Sequence, residues 1–156
     1  MTGAREPTKR SGKWLLYERP QIETRDYRVV RWGQSYGKLR KDTSVGGSNL
    51  SIGGVRHQSG LGTHARSFTR LKFRRANATL RGACGLDDAA AGKGRARFRI
   101  QDDDDRILFD SGELTQGQAA KAFSVKVPEN RELFFEVLPV GSIDFDHADW
   151  VDLELR

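Results

Sequence analysis

The chain has one cysteine, Cys84, among its 156 residues. That excludes a disulfide within the chain and any metal site built from cysteines. No apolar run approaches the roughly 20 residues needed to span a bilayer as a helix. The first residues, MTGAREPTKR, lack the apolar centre of a signal peptide. The expectation is therefore either a cytoplasmic protein or a piece of a longer secreted one. Only three histidines are present, His57, His64 and His147. They show no ligand spacing, which argues against a histidine-rich zinc site. Sustained helical spacing is also missing.

What is there is strongly charged. The net charge is +6, but the two halves differ. Residues 1–75 hold 17 of the 27 Lys and Arg and only 5 of the 21 Asp and Glu. A polyanion or nucleic-acid binder concentrates such charge in a continuous stripe. Here many cations alternate with apolar residues, the pattern of solvated strand faces. The length suits one domain, large enough to bury about two thirds of its unfolded surface.

Residues 1–27 read as a polar, basic tail or linker, with one short strand in WLLYERP. From Arg28 to Arg156 the pattern is that of strands. In RARFRIQ, Ala96, Phe98 and Ile100 point one way and Arg95, Arg97, Arg99 and Gln101 the other. Alternation of this kind marks a strand buried on one face. AFSVKV and ELFFEVL repeat it, and WVDLELR sets Val151, Leu153 and Leu155 inward. SNLSIGG and VRHQ bracket a Gly-Gly turn. SFTRLKF slips by one between Phe68 and Leu71, as if a bulge intervened. Short strands separated by turn segments predict an all-β antiparallel sandwich or barrel.

Residues with chemistry fall in three segments read as loops: GLGTHA (Gly60 to Ala65), GLDDAAAG (Gly85 to Gly92) and DFDHADW (Asp144 to Trp150). Loops distant in sequence gather at the ends of a sandwich. His64, Asp87, Asp88, Asp146, His147 and Asp149 would then meet. Two carboxylates and a histidine are the minimum for acid–base work on a glycoside. Adjacent acids, however, do not face each other across a substrate, and no deep cleft is expected. Asp87, Asp88 and Asp146 offer the hard oxygens that Ca2+ takes, without a calcium-loop motif. A third reading is structural: His64 donating to Asp149 and pinning two loops, since buried polar groups are nearly always paired. Trp150 either covers the end of the core or gives a platform for a sugar ring.

The run SIGGVRHQSGLGTHARS, then GACGLDDAAAGKGRARFRI, then DFDHADWVDLEL resembles the NPCBM domain, carbohydrate-binding module family 51, over about Arg28 to Leu155. The resemblance implies a jelly-roll, galactose-binding-like sandwich and a non-catalytic module that recognises terminal galactose or related glycans. It implies an accessory domain on a secreted bacterial glycoside hydrolase, extracellular or periplasmic. The partners expected are a galactose-containing glycan and a tethered catalytic domain, with no membrane and no nucleic acid. No cofactor is required; structural Ca2+ at Asp87, Asp88 and Asp146 is the one candidate. The motifs place His64, Asp87, Asp88, Asp146, His147, Asp149 and Trp150 at the carbohydrate site, with no catalytic residues. Trp32 and Tyr36, in RWGQSYG, are candidate stacking partners. Where the family is Gly-rich and polar, this chain reads PVGSIDF, so Ile143 and Phe145 would reshape the pocket mouth. The rival reading is a sandwich that binds polyanions or proteins and no sugar.

Overall fold

The structure, a computed structural model, describes residues 15–16, 22–90, 92–142 and 146–156. Of the tail or linker expected over residues 1–27, residues 1–14 and 17–21 lie outside the described residues, as do Ile143, Asp144 and Phe145. Among the described residues there is no helix. The strands form two antiparallel sheets packed face to face. The first runs β1 (Leu15–Leu16), β2 (Tyr27–Gln34), β7 (Ser67–Phe73), β12 (Glu132–Pro139), β9 (Arg95–Gln101) and β10 (Ile107–Thr115). The second runs β11 (Lys121–Lys126), β8 (Thr79–Leu86), β13 (His147–Leu155), β6 (Gly60–His64) and β3 (Arg40–Lys41). A separate hairpin joins β4 (Leu50–Ile52) to β5 (Val55–His57).

The alternating strands supply the core as their period dictates. Ala96, Phe98 and Ile100 of β9 meet Leu133, Phe135 and Val137 of β12 and Phe123 and Val125 of β11. Trp150 lies at the centre, fully buried. It makes edge contacts with Phe135 at 4.8 Å, Phe98 at 5.2 Å and Phe123 at 5.9 Å. Each such pair adds about 0.5–1.5 kcal/mol beyond area burial. The fold begins before Arg28, since Asp26 accepts the backbone N–H of Leu155 and Glu23 bridges Arg28.

Three strand readings change. The slip in SFTRLKF is not a bulge in β7, whose register against β12 is continuous. Phe68 instead packs with Phe134, apart from the main core that holds Leu71 and Phe73. In β13 the register breaks between Val151 and Glu154, and Asp152 has φ of 56°. Trp150 therefore faces inward and Val151 outward, against Leu50 and Ile52. The segments GLGTH and HADW are not loops: they are β6 and the start of β13.

Candidate functional site

The three motif segments do converge at one end of the sandwich. His147 stands opposite His64 in the β6–β13 ladder, and Ala148 stands opposite Leu86 in the β8–β13 ladder. The end of β6, the end of β8 and the start of β13 therefore share one edge. The His64 and His147 rings are 5.3 Å apart, and the Tyr36 ring lies 5.0 Å from His64. Tyr36 and His147 are the solvent-facing members of this row, with His64 buried between them. Tyr36 is 60% exposed, His147 is half-buried and His64 is 5% exposed.

The row is held by bonds from the strands beneath. Gln34 accepts the Thr63 hydroxyl at 2.6 Å and donates its amide to the Tyr36 carbonyl at 2.8 Å. Ser35 donates its hydroxyl to the Ala65 carbonyl and accepts the Arg66 N–H, both at 3.0 Å. His64 Nδ1 lies 2.6 Å from the Ala65 carbonyl. A carbonyl only accepts, so Nδ1 carries a proton. Burial lowers the His147 pKa, with the Asp87 carboxylate partly opposing. At neutral pH this imidazole is uncharged.

The acids do not sit with the rings. Alternation along β13 places His147, Asp149 and Val151 on the outer face of the second sheet, opposite the inward Ala148 and Trp150. Past His147 that face is covered. Asp149 is flanked by Gly62 on β6 and Gly85 on β8. A Cβ on Gly62 would meet the Thr43 carbonyl at 2.1 Å, and one on Gly85 would meet Ile52 at 2.6 Å. Only glycine lets the chain from Thr43 to Ile52 lie this close. Asp149 is thus fully buried under the β4–β5 hairpin.

Asp88 clamps that hairpin. Its carboxylate accepts the Ser51 hydroxyl at 2.6 Å and the N–H groups of Gly53 and Gly54 at 3.1 and 2.8 Å. Gly53 and Gly54 have φ of 57° and 83°, the two left-handed residues a tight hairpin turn demands. Asp87, fully buried, accepts the N–H groups of Ser51 and Ala89. Asp146, also buried, accepts the Arg95 N–H at 2.9 Å through its side chain and the Ala65 N–H through its carbonyl. It ties the first sheet to the second. Burial, then the neighbouring Asp87 carboxyl, pushes the Asp149 pKa well above the usual carboxylate range. Burial beside the Asp87 carboxyl thus favours the neutral acid at Asp149.

Several expected roles therefore shift. Trp150 is a core residue and presents no face to a sugar. Trp32, 5% exposed, belongs to the same core and is no stacking partner. His64 does not pin Asp149: its Nδ1 donates to the Ala65 carbonyl. Asp87, Asp88 and Asp146 do not bring three ligand atoms to one ion-sized position. Among the described residues the acids that do so are Asp102, Asp103 and Asp104, in the turn after β9. Residues that sequence reasoning missed are Gln34, Ser51 and Gln116. Gln116 donates to the carbonyls of Asp87 and Ala90 and steadies the loop after β8. No periodicity marks these three; their side-chain bonds span 24 to 37 residues except within the Gln34–Tyr36 turn.

Residues 21–156 match the model of the NPCBM/NEW2 domain. The chain is 43% identical over 124 residues to alpha-1,3-galactosidase B of Akkermansia muciniphila. That match covers 77% of this chain and 16% of the galactosidase, so the chain spans about a sixth of its relative. Among solved structures, the fold is similar to CBM51 from Clostridium perfringens GH95 in complex with methyl-galactose. The TM-score is 0.70 at 25% identity, over 80% of this chain and 92% of that one. The fold is also shared with CBM51-2, in complex with GlcNAc, from Clostridium perfringens ZmpB. There the TM-score is 0.73 at 20% identity, over 83% of this chain and 30% of that one.

Proposed function

Because the chain belongs to the NPCBM/NEW2 family, we propose that it is a non-catalytic carbohydrate-binding module for terminal galactose, carried by a secreted bacterial glycoside hydrolase. The observation that carries the reading is the row Tyr36–His64–His147 at the one end where all three motif segments meet. A galactose ring has an apolar C–H face and pairs of neighbouring hydroxyls. Tyr36, tilted and open to solvent, suits the C–H face. The His147 imidazole, uncharged at neutral pH, suits a hydroxyl through its Nε2, the ring nitrogen that is not buried. The methyl-galactose held by the Clostridium perfringens GH95 module and the activity of the Akkermansia muciniphila relative both favour galactose over other hexoses.

A non-catalytic role fits the acids. Asp87, Asp88 and Asp149 are beneath or bonded to the hairpin, and none flanks the open row as an acid–base pair. A site with so few polar groups binds weakly, each charge-free hydrogen bond contributing about 0.5–1.5 kcal/mol net. Weak modules gain by tethering, which raises the local concentration of glycan near a catalytic domain. Calorimetry with methyl galactoside, with methyl glucoside as control, tests the reading. Silence with galactosides across a broad glycan array would sink it.

A further inference from the structure

At the end of the sandwich opposite the ring row, a cavity of about 240 Å³ opens among the start of β2, the end of β7 and the turn before β12. We infer that this cavity is a second, separate site that takes a tetrahedral oxyanion, a sulfate or phosphate group. Five cations line it: Arg25, Arg28, Lys72, Arg74 and Arg131, against a single acid, Glu23. Arg28 and Lys72 are direct register partners across the β2–β7 ladder. Like charges opposite each other on one face destabilise a sheet.

The nearby acids answer only part of this charge. Glu132, opposite Lys72 on its other side, pairs with Arg70 at 2.8 Å. Asp26 pairs with two of the five, Arg74 at 3.1 Å and Arg25 at 3.8 Å, and also accepts the Leu155 N–H, so Arg28, Lys72 and Arg131 are the lining cations without an ion pair among the described residues. Arg131 is fixed rather than loose. Its φ is 65°, its carbonyl accepts the Phe73 N–H, and its guanidinium donates to the Arg74 carbonyl at 3.3 Å. Cations gathered around a concave opening focus the field there and favour an anion. Guanidinium groups match the geometry of an oxyanion through paired N–H donors. Four of the 17 cations in residues 1–75 line this cavity. Along β2 the cavity lies roughly 23 Å from the ring row, at about 3.3 Å per residue. The site therefore stands whether or not galactose binds.

Calorimetry of the full chain with sodium sulfate at fixed ionic strength, set with sodium chloride, tests the site. The expected result is saturable one-to-one binding that weakens at least tenfold in Arg28→Gln/Lys72→Gln. Sulfate also stabilises proteins by exclusion from their surface. That effect does not saturate and would persist in the variant. A monosaccharide 6-sulfate and its neutral parent form the second arm. Tighter binding of the ester than of inorganic sulfate assigns a sulfated saccharide; equal binding assigns the free ion. No saturable heat, or equal affinity in wild type and variant, overturns the proposal. So does binding of a DNA duplex alone, since the charge would then serve an extended phosphate backbone. If the double variant loses its cooperative melt, Arg28→Gln alone, at an exposed position, carries the same comparison.

Discussion

His147 faces His64 across the β6–β13 ladder with ring centroids 5.3 Å apart, and the Tyr36 ring completes the row 5.0 Å beyond His64. One strand pairing thereby joins the first and the last of the three motif segments, beside a residue earlier in the chain. The consequences divide between side chains that meet solvent and side chains that hold the hairpin.

His147 is half-buried and accepts no hydrogen bond at Nδ1. Its ring contributes little to packing and much to the open row. His147→Ala should weaken methyl galactoside binding at least tenfold, read by calorimetry, while the unfolding free energy from denaturant melts changes by no more than about 0.5 kcal/mol. Tyr36→Ala should behave alike. A steep loss of stability in either would assign these rings to the scaffold.

Trp150 should give the opposite result. Trp150→Ala removes a fully buried ring that touches three aromatic partners. The expected cost is about 3–5 kcal/mol in urea unfolding. Sugar affinity of the fraction still folded should be unchanged. Selective loss of binding in a stable variant would mean that the ring reaches the ligand after all.

Asp88→Ala deletes the acceptor for the Ser51 hydroxyl and for the Gly53 and Gly54 amides. The loss should be about 1–3 kcal/mol, the range for groups left unpaired. Hydrogen exchange should quicken first at Gly53, Gly54 and Ser51. A chelator should reproduce neither effect if the carboxylate acts through these bonds. If chelation alone lowers the melting temperature, an ion belongs to this region.

Asp149 carries the pH dependence. Its folded pKa is raised above the ordinary Asp value of 3.8 by burial and by Asp87. The folded state therefore holds the proton more tightly than the unfolded one. Its contribution is complete below the ordinary value and is lost as pH climbs toward the raised one. Asp149→Asn mimics the neutral acid. Its stability relative to wild type should grow between pH 4 and pH 8 in urea melts. His147 works in the other direction: with a lowered pKa, it destabilises the fold as pH falls below about 6.5. A gap between Asp149→Asn and wild type that does not change with pH would refute the protonated carboxyl.

Much of the architecture was legible residue by residue. Arg95 to Gln101 and Lys121 to Lys126 alternate cleanly, and both are strands with Phe98, Ile100, Phe123 and Val125 inward. The reading failed where a local pattern had two structural solutions. Phe68 broke the alternation of β7 because it packs with Phe134 away from the main core, which hydropathy cannot distinguish from a bulge. Val151 was placed inward because the register break after it leaves no mark in WVDLELR.

The sequence alone determined the period-two strands, the single sandwich and the three motifs that mark the family. Those follow from short-range sterics, which fix where each side chain points along a strand. Tertiary structure decided which of the motif's polar groups meet water. Asp149 and His147 lie two residues apart on the same face of β13, yet the first is sealed and the second is open. The difference is the hairpin, admitted by Gly62 and Gly85 and fixed by Asp88 from more than 30 residues away. Contacts of that range depend on how the chain closes on itself, and no window of neighbouring residues contains them.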